Sequence, residues 1–305
     1  MKKTKISLIE FSNIIKRNVK EVNVYNNKYF RELTTFRVGG KIKCLIEINN
    51  INSLLKVMFY IKKYNLEYFI LGAGSNILAT NSTFNKVVLK ISLVDISVKN
   101  NIIICGAGVG LFKLNQIAIK NSLSGLEWSF GIPGSVGGAV YMNAGSFGGE
   151  IKDIVKCVYF TDGEKIFKKD KKSLEFDYRK SFFTDKNLII LKVVFELHKG
   201  LKKEIEKLCY KNYENRRKTQ PFNLPCAGSV FKRPKIEFAP VLIEKCGLKG
   251  VSCGGAEIST KHCGFIVNKT GDATFNQILK LISKIKKTVS KKFDIILEEE
   301  IIILR

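Results

Sequence analysis

Histidine is almost absent: His198 and His262 are the only two in 305 residues. None of the eight cysteines, at 44, 105, 157, 209, 226, 246, 253 and 263, forms a Cys-x-x-Cys pair. Zinc knuckles and iron–sulfur clusters need thiolates at such spacing, so no metal site is expected. Cysteines inside apolar runs, as at 42–46 and 103–105, read as small buried hydrophobes, and free thiols suit a reducing compartment. No apolar run approaches the roughly 18 to 20 residues that span a bilayer, since Leu188-Ile189-Ile190-Leu191 is broken by Lys192 and then Glu196. The basic start, Met1-Lys2-Lys3-Thr4-Lys5, leads into residues interrupted by Glu10 and Asn13, with no small-residue cleavage site. The expectation is a cytoplasmic protein without a membrane partner. A Gly-Lys-Ser/Thr phosphate loop is missing, and Gly72-Ala73-Gly74-Ser75-Asn76-Ile77 lacks the third glycine of the dinucleotide fingerprint. Both absences disfavour a Rossmann domain or a nucleotide triphosphatase.

Acidic residues are also scarce, 27 against 52 Lys and Arg, for a net charge of +25. Such an excess attracts polyanions. The lysines are spread along the whole chain beside many Asn and Ile residues, with no basic arm or stripe, which points to compositional drift and not to a dedicated nucleic-acid partner. The positive field would still steer an anionic nucleotide inward.

With 45% hydrophobic residues the chain can bury a full core and divide into two or three domains. Residues 1–29 read as a helical lead, with Ile6, Ile9, Asn13 and Lys16 on a weak amphipathic face. Residues 41–48 alternate as a strand, and a helix follows over 53–64 with Leu54, Leu55, Met58 and Ile61 on one face. A strand at 68–71 completes a β-α-β unit. Strands are predicted at 86–92 and 96–105, the latter interrupted by Lys99-Asn100-Asn101, then a helix at 111–121. Asp162-Gly163 marks a hairpin between 155–160 and 165–168, and 188–197 is a further strand. A charged helix at 202–218 opens a different domain. The helix at 274–291 presents Ile278, Leu281, Ile282, Ile285 and Val289 as core, and 295–304 reads as a closing strand.

Glycine is concentrated where strands end. Leu71-Gly72-Ala73-Gly74-Ser75-Asn76 follows the apolar run 68–71, and a second stretch, 131–145, holds glycines at 131, 134, 137, 138 and 145 around Pro133. Glycine lets main-chain N–H groups approach a ligand with no Cβ in the way, which suits a phosphate or a flat ring. Either loop alone is as well explained by an ordinary tight turn. Two such loops in one domain suit a dinucleotide-sized ligand.

The order of motifs is more specific than any one of them. Thr34-Thr35-Phe36-Arg37-Val38-Gly39-Gly40 precedes the two glycine loops. Then come Tyr178-Arg179-Lys180-Ser181, Ala227-Gly228-Ser229-Val230-Phe231-Lys232 and Leu297-Glu298-Glu299-Glu300-Ile301. This series, over residues 30 to 304, resembles the UDP-N-acetylenolpyruvoylglucosamine reductases (UDP-N-acetylmuramate dehydrogenases), in the type lacking an extra tyrosine-bearing loop. The resemblance implies an α+β fold: a two-part FAD-binding domain of the PCMH/vanillyl-alcohol-oxidase-like type over 30–200, with subdomains at about 30–92 and 93–200, and an α+β substrate-binding domain over 201–305. It implies a monomer that binds FAD non-covalently, since no histidine lies in the loops. Leu71, Gly72, Ala73, Gly74, Ser75 and Asn76, with Gly131, Ile132, Pro133, Gly134, Ser135, Gly137 and Gly138, would hold that cofactor.

The implied reaction moves a hydride from NADPH through the flavin to the β-carbon of UDP-N-acetylglucosamine enolpyruvate and a proton to the α-carbon, a step in peptidoglycan precursor synthesis. The cofactor supplies the hydride chemistry and the protein supplies orientation and charge. By the same resemblance Arg179 holds the carboxylate with a forked guanidinium, Ser229 donates the proton, and Glu300, protonated through burial, stabilises the developing enolate. Lys232 and Arg233 would bind substrate, with Lys232 also placed to help Ser229. Glu298 competes with Glu300 because alternation puts both on one face. Arg233 stands where many relatives have Asn, and Glu299 where proline is common. Two other readings stay open: a different substrate on the same FAD-binding fold, or a basic nucleic-acid-binding protein.

Overall fold

The computed structural model describes residues 6–305, so Met1 to Lys5 of the expected lead lie outside the described residues. Two compact units emerge. One gathers the described residues up to Asn27 with Ile42–Ala73 and Asn85–Glu214, and the other gathers Lys28–Lys41, Gly74–Phe84 and Asn215–Arg305.

The first unit begins with a helix, Leu8–Asn18, fixed at its start by reciprocal hydrogen bonds between Ser7 and Glu10. Its buried face runs through Phe11 and Ile15, and Ile9 is 61% exposed, so the face expected through Ile9 and Asn13 is corrected. A nearly isolated pattern of four residues was too weak to phase the helix. Lys41–Ile48 forms the strand expected, and the following helix, Ile51–Lys63, is capped by Asn50, whose side chain accepts from Ser53 N–H at 2.8 Å. Val57, and not Leu55, joins Leu54, Met58 and Ile61 on the buried face. In the sheet the order is Val22–Tyr25, Lys41–Ile48, Phe84–Ile91, Tyr68–Leu71, with Tyr68–Leu71 parallel to Phe84–Ile91. The β-α-β unit therefore has a third strand inserted between its two.

A second, five-stranded antiparallel sheet runs Ile166–Asp170, Val155–Thr161, Ile189–Glu196, Ile102–Gly106, Ile96–Lys99. Its two hairpins turn at Asp162-Gly163 and Asn100-Asn101, as the turn residues predict, with Gly163 at φ +96° and Asn100 at +57°. Ile103, Val158, Val193 and Phe195 are among its fully buried side chains, and they share one core with Leu89 of the first sheet and Leu114 of helix Leu111–Lys120.

The second unit is built on helix Phe275–Phe293, capped reciprocally by Thr274 and Gln277. Ile278, Leu281, Ile282, Ile285 and Val289 are all buried, as their spacing predicts. A three-stranded sheet, Ser252–Cys253, Ala256–Ile258 and Ile266–Asn268, and the helix Ala239–Lys245 contribute Ile258, Ile266 and Ile243 to the same core. The closing strand expected over 295–304 is shorter. Only Ile302–Leu304 is a strand, parallel to Ile77–Ala79. The preceding residues bond instead to 230–232, so the segment changes partner part-way and cannot continue one ladder. No helix among the described residues is long and apolar enough to cross a membrane.

Candidate functional site

In the first unit the two glycine loops meet. A Cβ added at Gly72 would lie 2.5 Å from Ser135 Oγ, so any larger residue there has to turn that hydroxyl off the Gly138 N–H it accepts from. Ser135 caps the short helix Val136–Tyr141, its Oγ accepting from Gly138 N–H at 3.3 Å. The loop is pinned from the other side: Gly137 N–H donates to Ala107 O at 2.8 Å, Val136 N–H to Val109 O at 2.8 Å, and Leu111 N–H to Gly134 O at 3.0 Å. A Cβ at Gly137 would sit 2.9 Å from the Ala107 methyl. That glycine thus serves backbone packing.

These contacts leave a particular set of donors over. The main-chain N–H groups of Gly72 and Ala73 make no hydrogen bond to any described residue, and neither do those of Gly131, Gly134 and Ser135. Buried or half-buried N–H groups in folded proteins are nearly always paired. A run of them on glycine-rich turns is the arrangement that takes an anion such as a pyrophosphate, so the residues present fit the FAD that the sequence implies. Ile132, whose N–H donates to Ser129 O at 3.0 Å, and exposed Pro133 precede the pinned residues.

Arg179 belongs to the same unit and sits in a two-residue turn. Asp177 N–H donates to Lys180 O at 3.0 Å and Lys180 N–H returns to Asp177 O at 3.1 Å. Arg179 takes φ +54°, which costs a residue with a Cβ on the order of 1 kcal/mol. Its Nη2 donates to Gly145 O at 3.1 Å, and its guanidinium carbon lies 5.0 Å from the Tyr178 ring centre. The glycine-rich stretch and the arginine turn are therefore joined directly.

Asn143 strengthens that joint, and the sequence reading gave it no role. Fully buried, it takes φ +44°, a conformation in which asparagine is enriched. Its position just past a short helix was the available signal.

Ser229, Lys232, Arg233 and Glu300 lie in the second unit. Ser229 is half-buried, follows Gly228 at φ +77°, and its hydroxyl makes no hydrogen bond to any described residue. Its neighbour Val230 is held from both sides, N–H to Gly264 O and O from Glu300 N–H, each at 2.8 Å. Glu300 is thus tied through its backbone to the residue after Ser229. Asn76 adds a second tie: its Nδ2 donates to Glu300 O at 2.9 Å and its carbonyl accepts from Ile302 N–H at 2.9 Å. Glu298 is 72% exposed and pairs with Lys232 Nζ at 3.2 Å, while Glu299 accepts from Lys286 Nζ at 2.9 Å. Arg233 stacks 3.8 Å from the Phe238 ring centre.

Residues 42–164 match the FAD-binding domain family, and residues 220–304 match the C-terminal domain of UDP-N-acetylenolpyruvoylglucosamine reductase. A protein of that name from Fervidobacterium nodosum is 43% identical over 283 residues, 92% of this chain and 91% of its own length. The chain belongs to the UDP-N-acetylenolpyruvoylglucosamine reductase family. Another member, from Clostridium tetani, is 38% identical over 295 residues, 96% of this chain and 95% of its own. The crystal structure of the family's enzyme from Thermus caldophilus superposes with a TM-score of 0.80 at 31% identity, covering 93% of this chain and 99% of that one. Family membership bears out the α+β FAD-binding fold and the oxidoreductase class expected from the motif order.

Proposed function

We propose that this chain reduces UDP-N-acetylglucosamine enolpyruvate to UDP-N-acetylmuramate with NADPH and FAD, in the cytoplasm and as a monomer. The observation that carries the reading is the meeting of the two glycine loops at Gly72 and Ser135, with main-chain donors on both left without a partner in the protein. Bound FAD supplies the hydride relay between NADPH and substrate. Leu71 to Asn76, and Gly131, Ile132, Pro133, Gly134, Ser135, Gly137 and Gly138, form the two loops that hold it, with Gly72, Ala73, Gly131, Gly134 and Ser135 offering main-chain N–H groups that bond to no described residue and the internally bonded Ile132, Gly137 and Gly138 fixing the loop's shape. The FAD-binding domain spans 30–200 and the substrate-binding domain 201–305.

The residues that act on substrate are chosen by what the chemistry demands. Charge develops on an enolate beside a carboxylate, and a fixed guanidinium lowers its energy. Arg179 supplies it from a turn that pre-sets the side chain. The α-carbon needs a proton, and Ser229 Oγ provides it, its hydroxyl being uncommitted to any described residue. Glu300 donates a hydrogen bond to the developing oxyanion from a segment held on Val230 and Asn76. Lys232 and Arg233 bind the anionic substrate.

The test is the visible spectrum of the folded, purified protein. It is expected to be yellow, to release FAD and not FMN on denaturation, to bleach with NADPH without oxygen, and to recover colour when the enolpyruvyl sugar nucleotide is added. A folded preparation that neither contains nor takes up flavin overturns the reading.

A further inference from the structure

We propose that Asn143 is a positioning residue for Arg179, fixing the turn from which the guanidinium acts; this rests on the reading of Arg179 given above. Asn143 is 0% exposed, and its side chain makes three hydrogen bonds. Nδ2 donates to Asp177 O at 3.0 Å and to Glu150 Oε2 at 2.6 Å, and Oδ1 accepts from Lys152 N–H at 2.9 Å. Asp177 opens the Asp177–Lys180 turn and exchanges both of its main-chain hydrogen bonds with Lys180 across Tyr178 and Arg179. On the other side, Arg179 Nη2 donates to Gly145 O, two residues beyond Asn143. The base of the arginine turn and the tip of its side chain are thus held by one short segment, 143–145.

The chemistry of asparagine is needed at each contact. An amide offers two donors to the carbonyl and the carboxylate and one acceptor to the N–H, and asparagine accepts the left-handed backbone. Aspartate would set a second carboxylate against Glu150, which is already paired with Lys152 at 2.5 Å. Alanine would take from Lys152 N–H its acceptor, leave Asp177 O with Lys180 N–H alone, and strain the backbone. A guanidinium displaced by about 1 Å loses on the order of 100-fold in rate. That sensitivity makes the anchor of the turn matter to the reaction and not only to folding.

The test uses the flavin-loaded enzyme and the apoprotein. Asn143→Gly keeps the left-handed backbone and deletes the amide. It is expected to slow flavin reoxidation by the enolpyruvyl substrate about 10- to 100-fold, with NADPH bleaching nearly unchanged. In an Arg179→Ala background the same change should add no further slowing, because its target is gone. In the apoprotein, amide exchange at Lys180, whose N–H closes the turn, should accelerate. Asn143→Asp, which keeps the volume, should act in the same direction. Equal slowing of both half-reactions, additive slowing in the Arg179→Ala background, or unchanged Lys180 exchange overturns the proposal. If Arg179→Ala slows reoxidation while Asn143→Gly does not, this proposal alone fails. If Arg179→Ala itself is silent, the reading of Arg179 fails, and the positioning role falls with it.

Discussion

The loops that carry Gly72, Gly137 and Arg179 are held by close approach and by the side chains of Ser135 and Asn143, whereas the segments that carry Ser229 and Glu300 are held by a few bridging hydrogen bonds. In the first region the contacts are close: Gly72 abuts Ser135, Gly137 abuts Ala107, and Asn143 is fully buried beside the arginine turn. In the second, Val230 and Glu300 share one bridge, Asn76 adds another, and the side chains around them form exposed ion pairs. A cradle for a cofactor gains from a fixed main chain, since its donors must point without reorganising. A segment that handles substrate can hold its backbone and let its side chains exchange partners.

The sharpest way to break this contrast is Gly72→Val. Its Cβ alone would be 2.5 Å from Ser135 Oγ, and overpacking of this kind costs about 1–3 kcal/mol. Flavin absorbance per protein should fall to a small fraction, with a lower melting temperature. Full flavin content would mean that the contact is adaptable. Next in size, Ser229→Ala should slow reoxidation by the enolpyruvyl sugar about 10²- to 10⁴-fold and leave NADPH bleaching nearly intact, read by rapid-mixing absorbance. Equal slowing of both steps would make Ser229 a turn residue.

A pair of unequal effects separates the acids. Glu298→Gln removes an exposed pair with Lys232, worth no more than about 1 kcal/mol, so turnover and melting should barely move. Glu300→Gln should slow reoxidation as Ser229→Ala does. The reverse outcome would transfer the acid role to Glu298. Smallest is a pH effect in the second unit, where burial lowers the pKa of His262 below its ordinary 6.5. The unfolded chain then binds the proton first, so stability should decline as pH falls below about 6.5 and level off beneath the folded value. Thermal melts of the protein and of His262→Gln across that range, with the variant flatter, check it.

Much of the local structure was legible because its causes are local. The hairpins at Asp162-Gly163 and Asn100-Asn101, the capped helix at Phe275–Phe293 and the strand at Lys41–Ile48 follow from turn chemistry, capping and period. The terminal strand was over-read because period alone cannot show that 298–300 bond to 230–232 while 302–304 bond to 77–79. Beyond its place just past a short helix, nothing in the neighbouring sequence marks Asn143, because its burial and its partners Glu150, Lys152 and Asp177 are decided by the fold.

By itself the sequence determined the family, through six motifs in order, and the residue types available for chemistry, because both are properties of the chain read in one dimension. Only the tertiary structure decided which distant segments join: that 28–41 and 74–84 gather with 215–305, that Gly72 meets Ser135, and that Asn76 holds the carbonyl of Glu300. Those pairings depend on how apolar faces pack in three dimensions, and loop closure across long separations depends so weakly on length that spacing cannot foretell them.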